Sequence, residues 1–71
     1  AISLKLYGEE NPNVATNYNN LGLAWQAKGD LDTAISYEAK SYFIFNKMYG
    51  DENNSTQVVK KNLNDMVALN R

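Results

Sequence analysis

Tyr18-Asn19-Asn20-Leu21-Gly22-Leu23-Ala24-Trp25, with Gly29-Asp30 and Ala34 beyond it, decides the fold of this chain. Val14, Tyr18, Leu21, Gly22 and Trp25 fall on one face at helical spacing. Gly22 and Ala34 lack bulk, which lets two paired helices approach closely. Tyr18, Leu21 and Trp25 are then expected to fill the space around that contact, with Trp25 buried between the helices. Gly29-Asp30 is the turn that reverses the chain, since glycine adopts a left-handed conformation at no steric cost. The stretch reads as a tight helical hairpin.

Working outward, Asn11-Pro12 opens the first of these helices: asparagine caps it and proline takes the first helical position, where a missing N–H is harmless. The helix is expected from Pro12 to about Lys28. Its partner runs from Leu31 or Asp32 to Tyr49, and Gly50 stops it. A further helix starts near Asn53 or Asn54 and reaches towards Asn70, with Asn54 and Gln57 spaced as a capping box. Upstream, residues 1–7 (Ile2, Leu4, Leu6, Tyr7) read as the last turns of an earlier helix, halted by Gly8. No strand pattern competes. The chain is therefore read as one all-α domain over 1–71, with a helix end at 1–7, a full pair at 12–49 and a capping helix at 54–70.

The chain also repeats itself. Tyr7-Gly8-Glu9-Glu10-Asn11 returns as Tyr49-Gly50-Asp51-Glu52-Asn53, an offset of 49 − 7 = 42 residues that continues through Asn20/Asn62 and Leu21/Leu63. A fixed offset across a helical pattern marks an array whose units bury their apolar faces on their neighbours.

The pattern Tyr18-x2-Leu21-Gly22-x2-Trp25, followed by Gly29-Asp30 and Ala34, resembles a tetratricopeptide (TPR) repeat. Its period exceeds the usual length of about 34 residues. With Tyr-Gly-acid-x-Asn-Pro between copies and Asn-Asn-Leu-Gly in the first helix, it is similar to the long kinesin-light-chain type. The resemblance implies antiparallel helix hairpins of a right-handed solenoid, about one and a half repeats of it. It also implies a concave groove that holds an extended peptide.

Departures from that pattern fall on the second helix. An aromatic residue belongs four positions after Ala34, yet Glu38 stands there. At ~100° per residue, Ile35, Ser41, Tyr42, Phe45, Met48 and Tyr49 flank one broad face with Glu38 at its centre. Taken alone, Glu38 is expected to reach water or Lys40 through a slight helix rotation. Phe43 falls on the opposite, polar face beside Ser36 and Ala39. In the last helix Val59, Leu63, Met66 and Val67 form an apolar seam. Lys60 and Asn64 replace Tyr18 and Gly22, as expected of a capping helix with no further helix upon it.

Composition excludes several kinds of function. The 71 residues contain neither cysteine nor histidine, so thiol chemistry, disulfides and the commonest general base and metal ligand are missing. The net charge is −1 with both signs interspersed, which gives no basic footprint for nucleic acid. No apolar run approaches the ~20 residues that span a bilayer. Asp30-x-Asp32 and Gly50-Asp51-Glu52-Asn53 lack the ligand spacing of a calcium loop, and acids at helix starts suit the dipole better. No catalytic pair, metal site or cofactor site is expected.

What remains is a non-catalytic interaction module, cytoplasmic by default, whose partner is a protein or peptide. By the resemblance, Thr16, Asn19, Asn20, Leu23 and Ala27 line the groove, and the 42-residue offset adds Lys61, Asn62, Asp65 and Leu69. Asparagine amides suit peptide backbone because each offers donor and acceptor. The alternative is a self-assembling repeat, cut down or redesigned, that forms a homo-oligomer. Exposed Ile2 and Leu6 together with Ser36, Ala39, Tyr42, Phe43 and Phe45 would then meet a second copy. On this reading the chain's N-terminal side is severed and its C-terminal side is a true end.

Overall fold

Asn11 and Pro12 start the first helix as their chemistry requires. In the computed structural model, which describes residues 11–70, the Asn11 side chain accepts from the Val14 amide at 3.0 Å, and Pro12 opens α1 (Pro12–Lys28). Gly29 ends α1 with φ +92, and its N–H donates to the Gln26 carbonyl at 3.0 Å. Asp30 then caps α2 (Leu31–Tyr49), accepting from the Thr33 N–H at 3.1 Å and from its hydroxyl at 2.9 Å. Gly50, also at positive φ, closes α2. The cap of α3 (Asn54–Leu69) is Asn53, which accepts from the Ser55 N–H at 2.8 Å. This corrects the expected capping box by one residue. Asn54 is already helical, and Gln57 instead donates its side-chain amide to the Asp51 carbonyl. The expected helix end at 1–7, with Ile2 and Leu6, lies outside the described residues.

Helix α2 lies in the middle, and both other helices pack against it antiparallel. On one side Ser41 Oγ donates to the Ala15 carbonyl at 2.7 Å, while Gly22 meets Ala34 and Glu38. On the other, Asn70 Nδ2 donates to Asp32 Oδ1 at 3.0 Å, and Asp51 beyond the end of α2 pairs with Lys60 at 3.5 Å. Ala15, Ile44, Phe45 and Val59 form the apolar core, with Val14, Tyr18 and Tyr42 packed around it. Ala34 and Met66 are fully buried as well. All described elements are helical, joined by short turns.

The face of α1 that carries the packing is the expected one in part: Gly22 is buried and Val14 and Tyr18 pack against the core, whereas Leu21 and Trp25 do not fill it. Ala15 and Gly22 are buried, Tyr18 and Trp25 are half-buried, and Leu21 is 41% exposed. Trp25 therefore does not sit buried between the helices; Lys28 Nζ lies 5.4 Å from its ring centroid at the outer edge. The small residues bring the helices so close that the contact runs through Ala15 and Gly22 themselves. Large neighbours are displaced to its margins. Along α3 the apolar seam is narrower than the sequence suggests, because Thr56, Val59 and Met66 are buried while Val67 is 39% exposed.

Candidate functional site

Glu38 is the most consequential side chain on α2. It is fully buried, which corrects the expectation that a helix rotation would carry it to water or to Lys40. Lys40 instead places its Nζ 5.5 Å from the centroid of Tyr18 and 5.9 Å from that of Tyr37, two rings that stack on each other. The reason for the burial is Gly22. A Cβ at that position would stand 2.7 Å from Glu38 Cγ, 3.0 Å from Cδ and 3.1 Å from the Ala34 carbonyl oxygen. The Glu38 stem thus occupies the space that glycine leaves open, and the helix need not rotate.

Burial away from water disfavours the charged form of a carboxyl group. It pushes Glu38 from its ordinary 4.5 up to about 7. The partner of the carboxyl is the Asn19 amide of α1. Turned so that its NH2 group faces Glu38, Asn19 donates at 2.8 Å to Oε1 and at 2.9 Å to Oε2. In the opposite orientation of that amide, Asn19 Oδ1 accepts from Asn62 Nδ2 of α3 at 3.5 Å, so the two contacts are alternatives. Residues from all three helices therefore meet at the Asn19 amide.

Asn19 also lines an open cleft of about 200 Å³ between α1 and α3. Thr16 and Asn19 come from α1, Asn54, Ser55 and Val58 from α3, and Phe45 of α2 contributes to the wall with Val59. Thr16 and Asn19 are thus brought together as the sequence suggests. Asn20, Leu23, Ala27, Lys61, Asp65 and Leu69 are exposed but do not line this cleft. Lys61 and Asp65 pair with each other at 3.2 Å, one helical turn apart. Asn54, Ser55 and Val58 were missed as lining residues. The offset held the signal, since 16 + 42 = 58 carries Thr16 onto Val58.

A second, shallower concavity lies on the outer face of α2, lined by Ala39, Tyr42, Phe43, Asn46 and Lys47. Phe43 is 60% exposed there, and Lys47 Nζ lies 5.9 Å from its ring centroid. Ser36 and Ala39 are exposed on the same helix. Phe45 is corrected as a candidate contact residue: it is 6% exposed and belongs to the core, stacked on Tyr49 at 6.1 Å. Tyr42 is half-buried, and its hydroxyl is engaged. It donates to Asp51 Oδ1 at 2.9 Å and accepts from Asn46 Nδ2 at 3.0 Å, which fixes the turn before α3.

The acidic turns have structural roles. Asp30 caps α2, Asp32 accepts from Asn70, and Asp51 gathers Tyr42 and Lys60. Among the described residues, no helix is long and apolar enough to cross a membrane.

Comparison with known proteins gives one kind of relative. Over 57 residues the chain is 30% identical to a clustered mitochondria protein homolog of Culex quinquefasciatus, and equally so to the protein of that name in Aedes aegypti. The match takes in 80% of this chain, which spans only 4% of the length of those curated relatives. No family model matches the chain. Nor does any solved structure match it.

Proposed function

We propose that this chain is a non-catalytic protein–protein interaction module. It is a TPR-like piece of about one and a half repeats in a right-handed solenoid, and the cleft between α1 and α3 receives an extended peptide or a partner helix. One observation carries this reading. The cleft is lined by both copies of the repeated helix, with hydroxyl and amide groups of Thr16, Asn19, Asn54 and Ser55 around the apolar Val58 and Phe45. Amide and hydroxyl groups can pair with peptide backbone, while Val58, 50% exposed, offers apolar surface to a side chain. The setting is taken to be cytoplasmic, and no cofactor is needed.

Selection from a random peptide library displayed on phage tests it. Enriched peptides should lose binding to Val58→Arg and keep it with Phe43→Glu. Peptides that bind Val58→Arg as well as the parent would overturn the reading.

The exposed Phe43 favours a second reading, in which the outer face of α2 meets another copy of the chain. Burying one phenylalanine is worth about 1.5–3 kcal/mol, a substantial gain for a domain that buries only about 60% of its unfolded surface. On this reading the chain forms a symmetric homo-oligomer through Ser36, Ala39 and Phe43. Light scattering should then give a mass above that of one chain, which Phe43→Glu reduces to a monomer. A parent chain that stays monomeric as concentration rises excludes it.

A further inference from the structure

Helix α2 is held by its two neighbours in unlike ways. On the α3 side, Val59 and Met66 are buried whole, with Thr56 beside them. On the α1 side the fully buried residues are Ala15 and Gly22, which bring a single methyl group between them. Val14 and Tyr18 add partly buried surface. Hydrophobic gain scales with the apolar area removed from water, so α1 is the more weakly held helix. Elements with few buried apolar contacts open ahead of the rest of a domain. Glu38 lies on this weaker side. It is fully buried, and its stem fills the space above Gly22, where a Cβ would stand 2.7 Å from Cγ.

We propose that Glu38 makes the α1–α2 contact a pH-sensitive latch: α1 stays docked while the carboxyl is protonated, and ionisation releases α1 from a still-paired α2 and α3. A buried carboxylate without a countercharge is costly. Its stem is covered by Gly22 of α1, so it gains water when α1 moves away. Thr16 and Asn19 of α1 belong to the wall of the α1–α3 cleft, and release of α1 dismantles that cleft. A peptide seated there would bind more tightly at low pH than at high pH. This consequence rests on the cleft being the binding site; the release itself does not.

The surrounding charges do not compensate the carboxylate. On α1, Lys28 is drawn to Trp25, and Tyr18 stacks on Tyr37. On α3, Lys61 pairs with Asp65, and Lys60 with Asp51 of the preceding turn. On α2 itself, Lys40 lies over the tyrosine rings, Lys47 lies beside Phe43, and Asp32 is held by Asn70. Asp30 caps the helix. Among the described residues, none of these groups forms an ion pair with Glu38. The Asn19 amide at its carboxyl is uncharged in either orientation.

Amide hydrogen exchange of the free protein tests the proposal, measured across pH and corrected for the intrinsic exchange rate. Release returns the carboxyl from about 7 to its ordinary 4.5. Protection of α1 amides should therefore fall by on the order of 100-fold from about pH 4.5 to about pH 8, while α3 keeps its protection. Glu38→Gln, which cannot ionise, should hold α1 protection constant over the same range. Equal loss of protection in all three helices overturns the proposal, because the domain would then open as one unit. Unchanged α1 protection in the parent overturns it as well. If Glu38→Gln fails to fold, the contrast between α1 and α3 in the parent decides alone. Failure of the peptide selection would remove the cleft as a binding site and leave this result standing.

Discussion

Helices α1 and α3 are two copies of one pattern, yet they meet α2 with different faces. Asn11 and Asn53 cap them at equivalent positions, 11 + 42 = 53, and the helices begin alike. Beyond the caps they diverge. Helix α1 buries Ala15 and Gly22 against α2, while their counterparts on α3, Gln57 and Asn64, are exposed. Helix α3 buries Thr56, Val59 and Met66, while the α1 counterparts Asn17 and Ala24 are exposed and Val14 is half-buried. The repeated helix thus has two packing faces about one residue apart around its circumference. One takes the helix that follows it in sequence, and the other takes the helix that precedes it. Sequence differences between the copies follow from which face is covered.

The strongest challenge to this contrast is to fill the space above Gly22. Gly22→Leu should destabilise by about 3 kcal/mol or more, because overpacking forces side chains off their rotamers and the Ala34 carbonyl beneath cannot yield. Asn64→Leu at the equivalent exposed position should stay within about 0.5 kcal/mol. Urea unfolding of both variants makes the comparison. Similar losses for the two would mean that the faces are not distinct.

A related pair probes the other face. Met66→Ala removes a fully buried side chain and should cost about 2–4 kcal/mol. Ala24→Met adds one at an exposed position and should change little. A loss at Ala24 as large as that at Met66 would contradict the assignment of faces.

Proton linkage separates the two helix contacts next. Glu38 has a folded-state pKa of about 7 against an ordinary 4.5, so the native state holds a proton that the unfolded chain releases across that window. Stability from this group is complete below about 4.5 and declines as pH rises, reaching its floor above about 7. A shift of this size corresponds to a decline of roughly 3 kcal/mol. Glu38→Gln should remove the decline and be the more stable protein at neutral pH. Unfolding measured across this range checks both statements, and a parent whose stability rises over the window would refute the burial of Glu38.

Much of this arrangement was legible in the sequence, because it rests on local chemistry. Asn11-Pro12, Gly29-Asp30 and Gly50 each fix a helix end through a backbone requirement that one residue satisfies. The exposed Phe43 and the position of Glu38 on the inner face followed from helical periodicity. What periodicity does not decide is depth. It left Glu38 free to escape to water, when the vacancy at Gly22 gives its stem a place. It assigned Trp25 and Leu21 to the core, when the close approach at Ala15 and Gly22 leaves no room for them. Phe45 lies near the middle of the inner face on a helical wheel, about 20° from Glu38, and it shares the core with Val59 of α3. In the cleft, Thr16 and Asn19 were named, whereas Val58 was overlooked although the offset points to it.

The caps should give the smallest effects and show where the copies remain equivalent. Asn11→Ala and Asn53→Ala should each cost about 1 kcal/mol, since each removes one side-chain acceptor from a helix start. Thermal unfolding should place the two variants close together. A loss confined to one of them would show that the repeat does not hold at its most regular point.

The contact between Gly22 and Glu38 is central to the account, and a double-mutant cycle tests it most directly. Gly22→Ala and Glu38→Ala are made singly and together, and unfolding free energies are measured at one pH. A Cβ at position 22 collides with the Glu38 stem in the parent and finds much of that space vacated once Glu38 is shortened. The account predicts a coupling of about 1 kcal/mol or more, with Gly22→Ala better tolerated beside Glu38→Ala. Effects that add to within about 0.5 kcal/mol would contradict it, because two groups in such contact cannot act independently.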